Sequence, residues 1–289
     1  MYLIIGGTGS FGSRYAKHLG ERVRVFSRDE FKQHELRGEL DAEFVIGDIR
    51  DYDAVRSAMR GVTHVVHAAA LKHVRTGEEF PQEAIKTNIN GTQNVVNAAK
   101  AAGVERLVFL STDKACQPVN TYGATKMVAE RLVMSAGYNA VRYGNVIGSR
   151  GSVLHIFNEQ EKDGEFTITD RRMTRFAVTF GYAIYLVDRA FESPPGTILV
   201  GKPPSLSILD LALSFDPDAE VFETGIKPGE KLHEALLTPY EAARAEDVGD
   251  YYLLRQDEGG KLPEEFEAFT SETVTMSRED IHEMVRESL

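Results

Sequence analysis

Cysteine is nearly absent from this sequence, which contains one, Cys116, among 289 residues. A single cysteine excludes an intramolecular disulfide framework and suits a reducing compartment, where we expect a buried, unreactive thiol. The N-terminal residues MYLIIGG lack the charged and long apolar segments of a secretory signal peptide. No apolar run approaches the roughly 18 residues that a membrane-spanning helix requires. We therefore expect a cytoplasmic protein with no membrane partner.

Basic residues are also scarce relative to acidic ones. The chain has 33 Lys and Arg against 44 Asp and Glu, a formal net charge of -11. Because this charge opposes binding to a polyanion, we expect no nucleic-acid partner, and any phosphate site must be a local basic exception. We expect no metal either, since His64 and His67 lie three apart on a predicted strand and point to opposite faces.

The first half of the chain alternates β-rich apolar runs with longer helical patterns. The predicted strands are YLIIG, RVRVF, EFVIG, HVVHAAA, RLVFLST and, after a helix starting near Tyr122, NAVRYGNV. This alternation predicts an α/β fold, a Rossmann-type doubly wound parallel sheet with helices on both faces. The regularity then fades, which predicts a smaller C-terminal lobe.

The segment GGTGSFG places Gly6, Gly9 and Gly12 directly between the first strand and a helix near Ser10 to Leu19. Glycine is needed at this spacing because the backbone must turn tightly and approach a pyrophosphate, which rests on the amides at the helix N-terminus. The segment therefore predicts a dinucleotide site, to which the intervening residues Thr8, Ser10 and Phe11 also belong.

The second strand ends in Phe26-Ser27-Arg28, where NAD-specific folds usually carry an acidic residue. A hydroxyl and a guanidinium can bind a 2′-phosphate, so the pair Ser27 and Arg28 favours NADP over NAD. Asp29 follows at once, and Arg28 could instead be a solvated helix-start residue. The remaining predicted cofactor contacts follow the third predicted strand or end the fourth: Asp48, Ile49, Ala68, Ala69 and Ala70.

A second chemical signal starts at the end of the fifth strand, in STDKACQPVNTYGATK. Tyr122 and Lys126 are four apart on a predicted helix and share one face, where the cation is expected to lower the pKa of the phenol. Such a phenolate could take a proton from a sugar hydroxyl that Thr112 orients. We count Tyr122 and Lys126 as catalytic and as cofactor contacts.

Taken in order, the motifs resemble the extended short-chain dehydrogenases/reductases and, within them, the inverting UDP-N-acetylglucosamine 4,6-dehydratases of polysaccharide biosynthesis. The matching segments are GGTGSFG, FSRDE, GDIRD, HAAALKHV, KTNINGTQNV, STDKA with YGATK, RYGNVIGSRGSV, ITDRRMTRF and KPGEKLHE. The resemblance implies an NADP-dependent enzyme that acts on a UDP-sugar and forms a homo-oligomer. It also implies an NADP-binding domain with the catalytic residues over residues 1–147 and a mainly substrate-binding lobe over 148–289, from which segments could return to the sheet.

The pair Asp113-Lys114 refines this resemblance, because retaining 4,6-dehydratases typically carry Asp-Glu here and simple 4-epimerases need neither charge. The resemblance implies that Lys114 removes the C5 proton, which requires a neutral amine with a lowered pKa, and that Asp113 protonates the departing C6 hydroxyl. The alternatives are a retaining 4,6-dehydratase, a 5,6-dehydratase, a 4-epimerase and a non-catalytic NADP-binding regulator.

Six further positions match the family and are expected in the substrate site: Lys72, Asn88, Asn145, Arg175, Lys227 and Glu230. Arg175 and Lys227 are candidates for binding the UDP diphosphate. Relatives often have arginine where Lys227 stands, and lysine lacks the bidentate geometry of arginine. The chain is also short between Met134 and Tyr138, after the helix that carries Tyr122.

Overall fold

The structure is a computed structural model that describes residues 1–20, 22–255 and 267–288. Its α-helices are α1 (Ser10–Leu19), α2 (Glu30–Arg37), α3 (Tyr52–Ala58), α4 (Val74–Glu79), α5 (Pro81–Ala84), α6 (Gly91–Ala102), α7 (Thr121–Ser135), α8 (Val153–Gln160), α9 (Phe180–Glu192), α10 (Ile208–Leu213), α11 (Pro239–Ala242) and α12 (Arg278–Ser288). Ile85–Asn90 is π-helical, and Asp113–Ala115 and Glu161–Asp163 are 3₁₀-helical.

The strands are β1 (Tyr2–Ile5), β2 (Val23–Ser27), β3 (Glu43–Ile46), β4 (His64–His67), β5 (Arg106–Leu110), β6 (Asn139–Arg142), β7 (Asn145–Val146), β8 (Glu165–Ile168), β9 (Thr174–Val178), β10 (Thr197–Gly201), β11 (Ser205–Ser207), β12 (Glu220–Glu223), β13 (Ala235–Leu237), β14 (Glu246–Asp247), β15 (Tyr251–Arg255) and β16 (Phe269–Thr270). Within the described ranges, nine of them form one sheet in the order β14-β15-β10-β6-β5-β4-β1-β2-β3. The strands from β10 to β3 in this order are parallel, whereas β15 and β14 are added antiparallel.

Both faces of the large sheet are covered by apolar side chains. On one face, Phe109 of β5 belongs to a buried cluster with Met59 and with Val133 of α7. On the other face, Val108 belongs to a second cluster with Leu186 of α9. Strands that are buried on both faces have nearly continuous apolar sequences. This is why the alternation of strands with helices can be recognised in the sequence. The predicted Rossmann-type fold is confirmed.

The predicted strand NAVRYGNV is two strands in the structure. β6 lies in the large sheet, whereas β7 pairs with β9 in a three-stranded sheet with β11. The chain bends between them at Gly144, where an added Cβ would lie 2.3 Å from the Cβ of Phe176 on β9. Only glycine permits this approach, and the prediction of one continuous strand is therefore wrong.

The chain after residue 147 contributes to both parts of the molecule. It supplies β10, β14 and β15 to the large sheet and also the three-stranded sheet, the pair β8-β12 and the pair β13-β16. The division into residues 1–147 and 148–289 stays a prediction. Among the described residues, no helix combines the length and the apolar character needed to cross a bilayer.

Candidate active site

A cleft of about 930 Å³ opens where the parallel strands end. Its lining includes residues that directly follow or end β1 to β6, as expected for ligand sites in a doubly wound sheet. All the predicted cofactor positions line it: Gly6, Thr8, Gly9, Ser10, Phe11, Gly12, Ser27, Arg28, Asp48, Ile49, Ala68, Ala69, Ala70, Tyr122 and Lys126. It also contains Thr112, Lys114, Lys72, Asn145 and Arg175.

The structure explains why the loop between β1 and α1 is rich in glycine. Gly6 has a φ of 82°, and an added Cβ would lie 2.7 Å from the backbone nitrogen of Ala69. A Cβ on Gly12 would lie 2.5 Å from the carbonyl oxygen of Gly6. Gly9 is the N-cap of α1, and among the described residues no side chain caps this helix end. The first-turn amides of α1 are therefore placed to bind a diphosphate in the cleft.

The far end of the glycine loop contacts the end of β2. The Thr8 hydroxyl donates to Ser27 Oγ at 3.0 Å, so both hydroxyls are fixed at the cleft wall. The side chain of Arg28 is exposed, and its Nη1 lies 3.6 Å from Asp48 Oδ2. Lys32, one turn later on α2, also lines the cleft and lies 2.5 Å from Asp29 Oδ2. Sequence reasoning missed Lys32, which lies in the first turn of the helix that begins two residues after Arg28.

A second segment closes over the glycine loop from the C-terminal half of the chain. The Arg150 guanidinium donates to the Thr8 carbonyl at 2.8 Å, and its backbone N–H donates to Ser10 Oγ at 3.1 Å. Lys72 Nζ donates to the Arg150 carbonyl at 2.9 Å. Burial and the nearby Arg150 cation lower the pKa of Lys72. Arg150 was not predicted as a site residue, because its proximity to the loop depends on tertiary structure.

Helix α7 positions the predicted catalytic phenol. Asn120 caps the helix by accepting the Gly123 N–H at 2.7 Å, and Tyr122 follows in the first turn, almost buried. Burial raises the pKa of Tyr122 to about 12, and the cation that opposes this rise is Lys114. The expectation that Lys126 lowers the pKa of the phenol is therefore wrong for this structure.

Lys126 is itself a perturbed group. Its ammonium donates to the Leu110 carbonyl at 2.5 Å and lies 3.8 Å from the centre of the Phe109 ring. Burial lowers the pKa of Lys126 to about 7, with only partial compensation from Glu130. Near neutral pH the residue is therefore divided between its charged and neutral forms, which weakens its effect on Tyr122.

The pair Asp113-Lys114 lies in a 3₁₀ turn at the end of β5. Thr112 begins this turn by accepting the Lys114 N–H at 3.3 Å. Lys114 Nζ lies 3.0 Å from Asp113 Oδ1, 3.3 Å from Glu234 Oε1 and 3.2 Å from Asn145 Oδ1. Burial lowers the pKa of Lys114, but the two carboxylates outweigh it and raise the pKa well above the ordinary lysine value. The expected neutral amine is thus wrong for this structure, because the sequence did not reveal Glu234 as a second carboxylate neighbour.

Asp113 is completely buried beneath the cleft wall. Its Oδ1 accepts from the Thr112 hydroxyl at 2.9 Å and from Lys114. Its Oδ2 is buried and has no hydrogen-bond partner within the described part of the chain. Burial raises the pKa of Asp113 more than the Lys114 cation lowers it. Such a carboxyl group is suited to carry a proton.

The chain matches the family described as "Polysaccharide biosynthesis protein" over residues 2–256. It belongs to that family. It is 42% identical over 272 residues to the UDP-N-acetylglucosamine 4,6-dehydratase (inverting) of Campylobacter jejuni, covering 87% of this chain and 81% of that protein. It is 40% identical to the UDP-glucose 4-epimerase of Rickettsia rickettsii, and this match covers 98% of this chain and 94% of that protein. Among solved structures, Pen from Bacillus thuringiensis superposes with a TM-score of 0.93 at 36% identity, covering 99% of this chain and 97% of that one.

Three of the predicted substrate residues, Asn88, Lys227 and Glu230, lie outside the cleft lining. Asn88 is buried and holds the loop after β4, donating to the Leu71 carbonyl at 3.0 Å and accepting the Leu71 N–H at 2.8 Å. Lys227 is exposed, and its backbone N–H donates to Glu230 Oε2 at 3.1 Å. The structure therefore brings Lys72, Asn145 and Arg175 to the cleft but leaves the other three as predictions.

Proposed function

We propose that this chain is a C5-inverting UDP-N-acetylglucosamine 4,6-dehydratase that forms a UDP-2-acetamido-2,6-dideoxy-hexos-4-ulose. The observation that carries this proposal is the contact of 3.0 Å between Asp113 Oδ1, which is buried, and Nζ of Lys114, which lines the cleft together with Tyr122. When an amine and a carboxyl group are in contact, the amine can act as the base and the carboxyl group as the acid in the elimination of water. The activity named for the Campylobacter jejuni relative supports the same reaction.

We propose NADP as the cofactor. The uncapped end of α1 fits a diphosphate, and Ser27, Arg28 and Lys32 offer a hydroxyl and two cations at the wall where a 2′-phosphate would lie. A solved UDP-glucose 4-epimerase from Thermus thermophilus, 26% identical with a TM-score of 0.68, is a complex with NAD, which supports a nicotinamide cofactor in general. Calorimetric titration with NADP and NAD tests the preference: equal affinities, or tighter NAD binding, would contradict it.

When bound, the nicotinamide ring supplies the hydride acceptor and donor for the sugar. Tyr122 would accept the proton of the C4 hydroxyl, which the Thr112 hydroxyl orients, as C4 becomes a ketone. Because burial raises the pKa of Tyr122 to about 12, this step requires the phenolate form, which the positive charge of a bound oxidised nicotinamide would favour. The ketone acidifies the C5 proton, and Lys114 removes it. Asp113 would give a proton to the C6 hydroxyl, which leaves as water; this step requires the buried carboxyl group to become accessible to the substrate. A proton delivered to the opposite face of C5 would complete the inverted product, with the hydride for C6 supplied by the bound nicotinamide.

The protonation states of the pair follow from its geometry. Lys114 begins as an ammonium, and the pKa of Asp113 is raised by burial. Transfer of one proton along their 3.0 Å contact gives a neutral amine and a carboxylic acid at the same time. These are the two forms that elimination of water requires.

The UDP end of the substrate is proposed to contact Arg175 and Lys72. Both side chains line the cleft of an otherwise acidic protein, and each provides a cation for the diphosphate. Lys227 and Glu230 remain proposed contacts that require the loop around them to approach the substrate. Cytoplasmic location and a homo-oligomer are proposed from the family resemblance, and light scattering on the purified protein would test the assembly.

Epimerisation at C4 is the second candidate function. It is favoured by the names of several relatives, such as the Rickettsia rickettsii protein that this chain matches over 98% of its length. Epimerisation would need Tyr122 but would leave the pair Asp113-Lys114 without a chemical role. We therefore prefer dehydration.

Proton NMR of the purified protein with UDP-N-acetylglucosamine and catalytic NADP in deuterated water tests the proposal. A new methyl signal, deuterium at C5 and couplings of the inverted centre are expected. Lys114→Ala should abolish the methyl signal while NADP binding is retained. A C4 epimer without a methyl group would favour the epimerase, and unchanged substrate with confirmed NADP binding would contradict the proposed substrate.

A further inference from the structure

Glu234 is a buried carboxylate that ends the segment KPGEKLHE but was not among the predicted site residues. It immediately precedes β13 and is 3% exposed. Its backbone N–H donates to Ser271 Oγ at 3.0 Å, and its carbonyl accepts the Ser271 N–H at 2.8 Å. These backbone contacts fix the side chain, so that Oε1 lies 3.3 Å from Lys114 Nζ.

The groups around Lys114 divide into two carboxylates and several neutral or cationic neighbours. Asp113 comes from the same 3₁₀ turn, and Glu234 approaches from the chain before β13. The guanidinium of Arg175 on β9 opposes the Lys114 cation, and Asn145 on β7 accepts a hydrogen bond from it. Tyr122 of α7 also interacts electrostatically with Lys114.

The two carboxylates differ in their own surroundings. Glu234 Oε2 lies 3.6 Å from Lys231 Nζ. Burial raises the pKa of Glu234, but Lys114, Arg175 and Lys231 outweigh it and lower the pKa. Asp113 has the opposite shift, since burial dominates there. The surroundings of Glu234 therefore favour its ionised form, whereas those of Asp113 favour its protonated form.

We propose that Glu234 is a positioning residue that holds Lys114 Nζ beside Asp113 and stabilises the ammonium formed when Lys114 accepts the C5 proton. This role rests on the proposed dehydratase function. The C5–H bond breaks, its proton forms an N–H bond on Lys114, and its electron pair moves toward C6 as the C6–O bond breaks. The leaving oxygen takes the proton of Asp113 and departs as water. Throughout, Glu234 remains a carboxylate, as does the aspartate of a Ser-His-Asp triad.

The first test compares Glu234→Gln with Glu272→Gln, a control at an exposed position next to Ser271. We expect Glu234→Gln to lower kcat and C5 deuterium incorporation by roughly 100-fold with little change in KM, because the base is misplaced and its ammonium less stabilised. The pH at which activity rises should fall by about one unit, since loss of a nearby carboxylate makes the coupled pair Asp113-Lys114 lose its first proton at lower pH. Glu234→Asp should restore the pH profile toward wild type. Wild-type kcat and pH profile in Glu234→Gln would overturn the proposal.

A second measurement does not depend on the substrate. Acetylation of Lys114 by acetic anhydride at about pH 9, followed by mass spectrometry, reports the fraction of neutral amine. Labelling should be several-fold faster in Glu234→Gln than in the wild type or Glu272→Gln, and NADP titration shows that each variant retains its cleft. Unchanged labelling would overturn the coupling even if the enzyme acts on another sugar. Faster labelling without turnover of UDP-N-acetylglucosamine would instead support the coupling and contradict the proposed substrate.

Discussion

Lys126 shows at the scale of one residue how burial changes a charge. Its pKa in the folded chain is about 7, whereas an ordinary lysine has a pKa of about 10.4. Between these values the unfolded chain binds a proton that the folded chain does not, so the free energy of unfolding should rise with pH. The maximal slope from this group is about 1.4 kcal/mol per pH unit.

Lys126→Met should remove this contribution, so that the variant gains less stability than the wild type between about pH 7 and pH 10. Urea unfolding at several pH values measures the difference. Lys100→Met, at an exposed position on α6, serves as the control and should keep the wild-type slope. If the free energy of unfolding changed with pH equally in the wild type and in Lys126→Met, burial would not lower the pKa of Lys126.

At the scale of elements, the 3₁₀ turn Asp113–Ala115, which we propose to be catalytic, is held by close packing against α7. An added Cβ on Gly123 would lie 2.1 Å from the Lys114 carbonyl oxygen, so this glycine allows the helix and the turn to touch. Because the clash involves backbone atoms, Gly123→Ala should displace Lys114, lowering product formation by roughly 100-fold and stability by about 1–3 kcal/mol. Product NMR and urea unfolding measure the two effects.

The matched control is Gly181→Ala on α9, whose added Cβ has Thr179 Oγ1 at 4.0 Å as its nearest atom. This substitution should leave activity unchanged and should stabilise the helix slightly, by about 0.5–1 kcal/mol. If Gly123→Ala behaved like Gly181→Ala, the turn would not depend on this contact.

A buried ion network joins β6, α7 and α11 near the 3₁₀ turn Asp113–Ala115. Arg142 of β6 donates to Glu130 Oε1 of α7 at 2.5 Å and to Glu241 Oε1 of α11 at 2.9 Å. Ser111, directly before Thr112, donates to Glu130 Oε2 at 2.7 Å. Because isolated buried charges are costly, this network fixes how α11 packs against the sheet.

At the scale of the whole molecule, the two parts of the chain share one core. β6 pairs with β10, and Leu199 of β10 belongs to the same buried cluster as Val141 of β6. A fragment of residues 1–147 would leave β6 as an unpaired edge and expose the apolar face that α9 covers. We expect this fragment to lack a cooperative unfolding transition, whereas the full chain unfolds in one. Urea unfolding followed by circular dichroism measures both, and a cooperative fragment would show that residues 1–147 fold independently.

The sequence alone was enough to predict β1 to β5, the glycine loop and the run from Thr112 to Lys126 that we propose to be catalytic, but it did not identify β10, β14 and β15 as strands of the same sheet. Apolar periodicity marks buried strands and helices locally, and Gly6, Gly12, Tyr122 and Lys126 are constrained by spacing within one strand, turn or helix. The same reasoning failed at Gly144, where a close approach to β9 splits a strand that appears continuous in sequence.

Tertiary structure alone decided the electrostatics of the site. Glu234 lies 120 residues after Lys114 in the sequence and Arg150 lies 142 after Thr8, so no local pattern could place them together. The pKa values of Lys114, Tyr122 and Lys126 depend on burial and on these distant charges, and two of the three shift opposite to the direction expected from the sequence. Spacing specifies which groups are present, whereas the packed fold sets the solvent exposure and charged neighbours that determine their protonation.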